Sequence, residues 1–421
     1  MALIRPFKGI TYNQSHIKNL GSVITPPYDI IDSTQQKLLY RSSPYNIIRL
    51  EYGISSPDDT ENENRYSRAA AILQQWLNQG ILEPDDHHNY YFYEQSFTYN
   101  QIQYKRYGMI TALKIEPYSA EIVLPHELTM AGPKTDRLAL LKATHTNISP
   151  IFTLFPDPDR RMHEFIALAD HADPAITAIE ASGQTHRIWP ITDPVLQDQF
   201  TAYLATQPLL IADGHHRYET AQNHAQSSPR SNLPGAGFIL AVMVSINDPG
   251  LLMLPTHRLL HSLDAAQQIL LRNIIREHFS VIEWGDPAKA VEEDFLAKLE
   301  QISREKCGFG CILSDRLGLL VPEAASANED LPVSLLHDLL LKPLLASGKN
   351  TKDMLSFSHD FAATLDAVKT GKADVAFILD TLPVGDLFQR TRQGTIMPQK
   401  STYFYPKLPS GLVLYNSDLS F

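Results

Sequence analysis

Cysteine is scarce in this chain of 421 residues: there are two, Cys307 and Cys311. The strand pattern of "KCGFGCILSD" places both on one face with Phe309, and no third or fourth soft ligand lies nearby. They read as small buried thiols rather than as a redox or metal centre. An excess of positive charge is also missing. A formal net charge of -11 argues against nucleic acid or an anionic membrane as a partner, while leaving room for a local basic pocket. Long apolar runs are absent as well: the longest uncharged stretch, about "GAGFILAVMVSIN", stops short of the ~18 residues a membrane helix needs. The opening "MALIRPFKGITYN" shows no basic-then-apolar leader, and the cytoplasm is the expected compartment. There is no internal repeat and no low-complexity segment.

What is present is ordinary for a folded protein, with 43% hydrophobic and 20% charged residues. The length exceeds the ~250 to 300 residues at which single cores stop growing, so two domains are expected. The pattern is α+β, divided into residues 1–265 and an α/β sandwich domain over residues 266–421. A Pro26-Pro27 turn is followed by a helix capped by Asp32 or Ser33, then by a strand ending near Tyr52. "RYSRAAAILQQWLNQGIL" has helical periodicity closed by Gly80. Positions 89 to 116 read as two strands around a turn at Asn100-Gln101. A polar loop, "LPHELTMAGPKTDR", leads into the helix "DRLALLKATH" and the strand "NISPIFTLF". Farther on, Asp248-Pro249-Gly250 links two buried strands.

The stretch "LLIADGHHRYETA" concentrates chemistry. A buried strand ends at Asp213, Gly214 permits an unusual backbone angle, and a helix follows at once. Such a turn aims peptide N–H groups and a positive helix end at one spot, which suits phosphate. Arg217 adds a planar fork for oxygens, and Asp213 offers a ligand for Mg2+ or a partner for an imidazole. His215 and His216 titrate near neutrality, and being adjacent they point apart, so one of them faces the ligand. The competing reading makes Asp213 a helix cap and both histidines merely satisfied polar groups.

"ADGHHRYETA" resembles the box shared by ParB-like nucleotide-binding domains, sulfiredoxins and archaeal free serine kinases, all built on one small α/β fold. "IRPFKG", "TPPYDII", "PYNIIRLE", "LPHELT", "GPKTDRLALLKATHTNISPIF", "INDPGLLMLPTHRLL" and "MPQKSTYFYPKLPSGLVLYN" together resemble the domain-of-unknown-function family 1015 over almost the full chain. The resemblance implies a ParB/sulfiredoxin-like N-terminal region elaborated by a sheet hairpin. It further implies nucleotide phosphates, from ATP or ADP, held at Gly214, His215, His216 and Arg217, with Asp213 helping to hold metal or substrate. His215 stands where sulfiredoxin chemistry requires a cysteine, so sulfinic acid reduction is not expected. No basic recognition helix accompanies the box.

A kinase of this kind also needs a carboxylate to accept a hydroxyl proton. Glu51 is the candidate, sharing a strand face with Arg49, and the alternative is a solvated edge-strand ion pair. His126-Glu127 lacks the second histidine of a zinc protease. With Lys134, Asp136 and Arg137 it forms instead a dense polar loop for a zwitterionic or phosphorylated substrate, or else ordinary capping. His257 and Arg258 in "LPTHRLL" are a second phosphate contact or a structural ion pair. "PPYD" would fix Asp29 near the site, and Lys400 and Lys407 in the aromatic tail would close over it or complete a sheet.

Three functions compete. The first is a nucleotide-dependent phosphotransferase on a small hydroxylated metabolite, with free L-serine the leading substrate. The second is a phosphatase or nucleotide hydrolase, and the third a non-catalytic nucleotide sensor. A homo-oligomer is left open.

Overall fold

Large apolar and aromatic side chains alternate along two long strands, Tyr90–Tyr99 and Ile102–Lys114, which pair antiparallel from Tyr91↔Ile110 to Tyr99↔Ile102. Asn100 and Gln101 between them have φ of 46° and 64°, the primed turn whose twist matches the flanking strands. The computed structural model describes residues 1–129, 131–169, 171–227, 233–285, 292–314, 316–324, 330–346 and 354–421.

The chain divides into two compact units. The first comprises Met1–Leu252, Phe388–Gly394 and Pro406–Phe421, the second Met253–Leu387 and Thr395–Tyr405. The division thus falls before the expected 265/266 boundary, because the strand His257–Leu260 hydrogen-bonds to Leu355–Ser358 and Val375–Ile378. The end of the tail rejoins the first unit, where Tyr415–Asn416 pairs with Thr146–Asn147.

Among the described residues, the first unit is built on a nine-stranded mixed sheet. Leu209–Asp213 lies parallel to Val123–Leu124 and antiparallel to Ile151–Phe155, which runs parallel to Phe238–Ser245. Phe238–Ser245 then joins the long hairpin. One face carries Phe92, Met109, Ile151, Leu209, Ile211 and Met243 against Phe165, Phe200 and Tyr218 of three helices. Covering helices explain why Leu209–Asp213 and Phe238–Ser245 are continuously apolar rather than alternating.

Two local expectations are corrected. The segment ending at Tyr52 is not a strand: Ile48–Glu51 is a short helix. Asn46 starts it, accepting from the Ile48 N–H at 2.9 Å while donating to the carbonyls of Ser22 and Ile24, a local bond that outcompetes β pairing. Likewise, "AGPKTDR" is not loop but the start of the helix Ala131–Thr144, with Pro133 in its first turn, where a missing N–H costs nothing.

In the second unit a six-stranded sheet runs Phe279–Gly285, Leu317–Pro322, Phe309–Ile312, Val375–Ile378, His257–Leu260, Leu355–Ser358. The pairings are antiparallel. Ala265–His278 packs on one face through Leu271 and Ile274, and Glu292–Lys306 on the other through Phe295 and Leu299. Sheet and helices together agree with the expected α+β class. Both cysteines are buried, but only Cys311 lies in a strand. Cys307 sits ahead of it in a left-handed conformation.

Candidate functional site

The strand Leu209–Asp213 loses register between Ile211 and Asp213, which turns the end of the strand out of the ladder. Gly214 follows with φ of +92°, and a Cβ there would meet Ile151 Cγ2 at 3.0 Å and Arg217 Nε at 3.1 Å. The helix His215–Ser227 begins at once. Strand, glycine turn and helix N-terminus are therefore placed as an anion site requires.

The side chains around the turn are tightly paired. One oxygen of Asp213 accepts from Arg217 and the other from Lys407, while Arg217 also donates to the carbonyl of Pro150. Burial works to lower the Arg217 pKa, but the fields of Asp213, Asp29, Tyr28 and Glu51 outweigh it and raise it. Asp213 was the expected metal ligand. With both oxygens taken by cations, its surroundings repel a dication, so Mg2+ does not fit there. Among the described residues no group of three His, Cys, Asp or Glu side chains is arranged to hold a metal ion.

The histidines part as adjacency demands. His215 turns inward and is buried, whereas His216 stays half-exposed. The expectation that His215 titrates near neutrality is overturned: burial, with the neighbouring His126, pushes its pKa down to about 3. It remains neutral, and its Nε2 accepts from the His126 N–H at 3.4 Å. The His126 ring crosses that of His215 edge-on at 4.7 Å, and its Nδ1 donates to the carbonyl of Ile211 at 2.7 Å. Glu127 Oε1 lies 3.5 Å from His126 Nε2. His126 thus braces the strand end, with Glu127 beside it.

A second network centres on Glu51, which is buried. Its Oε1 accepts from Ser149 Oγ at 3.0 Å and lies 3.4 Å from Arg137 Nη1, which also donates to the Glu51 carbonyl at 3.0 Å. Arg137 lies over the Tyr28 ring at 3.9 Å and binds Asp136. Burial opposes ionisation of Asp136, but Arg137, Tyr66 and Arg65 together lower its pKa. Glu51, Arg137, Ser149 and Arg217 line one small cavity of about 40 Å³, a volume of the order of one water or a hydroxymethyl group.

Of the remaining candidates, Asp29 is exposed but within electrostatic reach of Arg217. Lys134 pairs with Glu219 at 2.9 Å. Arg49 is not beside Glu51 on a strand face; it donates to the carbonyls of Pro44 and Tyr40 and lies over the Tyr40 ring at 4.4 Å. His257 and Arg258 belong to the second unit. Burial pushes the His257 pKa down to about 3, and its Nδ1 accepts from the Leu379 N–H. Arg258 donates to the carbonyls of Thr256 and Lys400, so main-chain oxygens meet its need for acceptors.

Sequence reasoning missed Arg106. It is buried, donates to Gln95 Oε1 and the Pro406 carbonyl, and lies over the Phe152 ring at 4.8 Å. Burial pulls its pKa down to about 10. The signal was available: Arg106 falls in phase with Gly108 and Ile110 on a strand, where an apolar residue belongs.

A family model described as "Protein of unknown function (DUF1015)" matches residues 4–339. No curated protein matches the chain. Among solved structures, a conserved hypothetical protein from Pyrococcus furiosus is 14% identical, with 74% of this chain and 97% of that one covered and a TM-score of 0.40. A free serine kinase in complex with AMP is 12% identical over 74% of this chain and 93% of its own, TM-score 0.42. SbnI with a C-terminal truncation, from Staphylococcus aureus, is 8% identical over 72% and 85%, TM-score 0.37.

Proposed function

The chain belongs to the DUF1015 family of proteins of unknown function, and we propose that it is a nucleotide-dependent phosphotransferase acting on the hydroxyl of a small metabolite. The observation that carries this reading is one cavity shared by two unlike groups. Glu51 is a buried carboxylate, and Arg217 a half-buried cation at the start of the helix after Gly214. A phosphoryl group held by the helix N-terminus and Arg217 then lies next to a carboxylate placed to accept the proton of an attacking hydroxyl.

The donor is ATP or ADP, and free L-serine is the leading acceptor. Both choices follow from the likeness of "ADGHHRYETA" to the serine kinase box. The cavity's size agrees with a hydroxymethyl group reaching Glu51. His215, being neutral and buried, orients the turn and takes no part in proton transfer, and Asp213 acts through Arg217 rather than through a metal.

Incubating the protein with ATP or ADP, magnesium and a panel of amino acids, then searching for phosphoserine by mass, tests the reading. A new phosphate ester that vanishes in Glu51→Gln supports it. Nucleotide bound without any ester in the wild type points instead to a sensor, which the mutual pairing of Asp213 and Arg217 favours. Nucleotide consumed with only inorganic phosphate released points to a hydrolase.

A further inference from the structure

We propose that Lys407 is the cation that neutralises the bound phosphate at the Gly214 turn, in the place a divalent metal would otherwise take. The inference rests on the nucleotide reading above. Lys407 lies 194 positions beyond Asp213 in the chain, yet its ammonium reaches Asp213 Oδ1. That reach is fixed from behind. Gln95 donates from Nε2 to the Lys407 carbonyl at 3.3 Å, and Arg106 donates to the Pro406 carbonyl at 2.7 Å and to Gln95 Oε1.

Both members of this clamp are buried, Gln95 at 0% and Arg106 at 1% exposure. Desolvating a guanidinium is costly, and here the charge holds the main chain on either side of one lysine. The lysine in turn shares a single carboxylate with Arg217. Two cations share this one carboxylate beside a helix N-terminus, which itself favours an anion. Asp213 therefore parks the ammonium and guanidinium beside the turn, where arriving phosphate oxygens compete for them. Arg106 and Gln95 are positioning residues for Lys407.

Titration calorimetry of the full chain with ADP and with adenosine tests this. In Lys407→Met the ADP affinity should fall about tenfold or more, the worth of one charge-assisted hydrogen bond, while adenosine affinity holds. Lys407→Arg should recover most of the loss, and EDTA should leave wild-type ADP binding unchanged. Lys407→Met binding ADP as tightly as wild type, or wild-type binding abolished by EDTA, overturns the inference and leaves the nucleotide reading standing. A wild-type chain that binds no ADP overturns both. As a check independent of any variant's folding, ADP should protect Lys407 of the wild type from acylation while the exposed Lys37 reacts as before; equal labelling of Lys407 with and without ADP counts against the inference.

Discussion

Arg137 holds Glu51 twice, by a 3.0 Å bond to its carbonyl and a 3.4 Å approach to its carboxylate. One guanidinium thus sets both where the residue sits and how its charge is balanced. Because the carbonyl bond survives substitution, Glu51→Gln should keep the backbone in place. It should cost about 1–3 kcal/mol of stability, abolish ester formation and leave ADP affinity within about threefold of wild type. Calorimetry and a single-turnover assay check this; a variant that still turns over removes Glu51 from the base role.

Gly214 is held at a φ of +92° with neighbours 3.0 Å from where a Cβ would stand. Gly214→Ala should lose about 1–3 kcal/mol in urea unfolding and disturb Arg217, whose Nε is among those neighbours. An unchanged midpoint means the turn accommodates a side chain after all.

The His215 pKa lies near 3 in the folded chain and at about 6.5 in an unfolded one. Between those values the unfolded state binds the extra proton. Stability contributed by the neutral imidazole is therefore complete above about pH 6.5 and falls by about 1.4 kcal/mol per unit of pH below it. Urea unfolding from pH 7 to pH 5 should show a shallower acid loss in His215→Gln than in wild type, and parallel curves would contradict the assignment.

Burial pushes the Cys311 thiol up to about 12, and Cys307, also buried, donates to the Asp330 carbonyl at 3.6 Å. Neither thiol should react with iodoacetamide at neutral pH until the protein unfolds. Stoichiometric labelling in the native state, read by mass, contradicts this.

The hairpin at Asn100-Gln101 and the strand-glycine-helix order around Gly214 were legible because each is specified by neighbours in sequence. The segment before Tyr52 misled for the opposite reason. Its alternation suggests a strand, but Asn46 accepts from the Ile48 N–H while its amide is held by carbonyls more than twenty residues earlier. The partners of the charged side chains were the least legible part. Asp136 meets Arg65 across 71 positions and Arg106 meets Pro406 across 300, and no local pattern announces either. His215 shows the same limit, since its lowered pKa comes from desolvation and from a histidine 89 residues away.

The return of the tail to the first sheet also sets a timetable. A ribosome making roughly 5 to 20 residues per second needs on the order of 10 to 40 s to travel the 194 positions from Asp213 to Lys407. Throughout that interval Asp213 has no lysine to meet. The Asp213–Lys407 pair therefore forms only after the second unit, Met253–Leu387 and Thr395–Tyr405, has been translated.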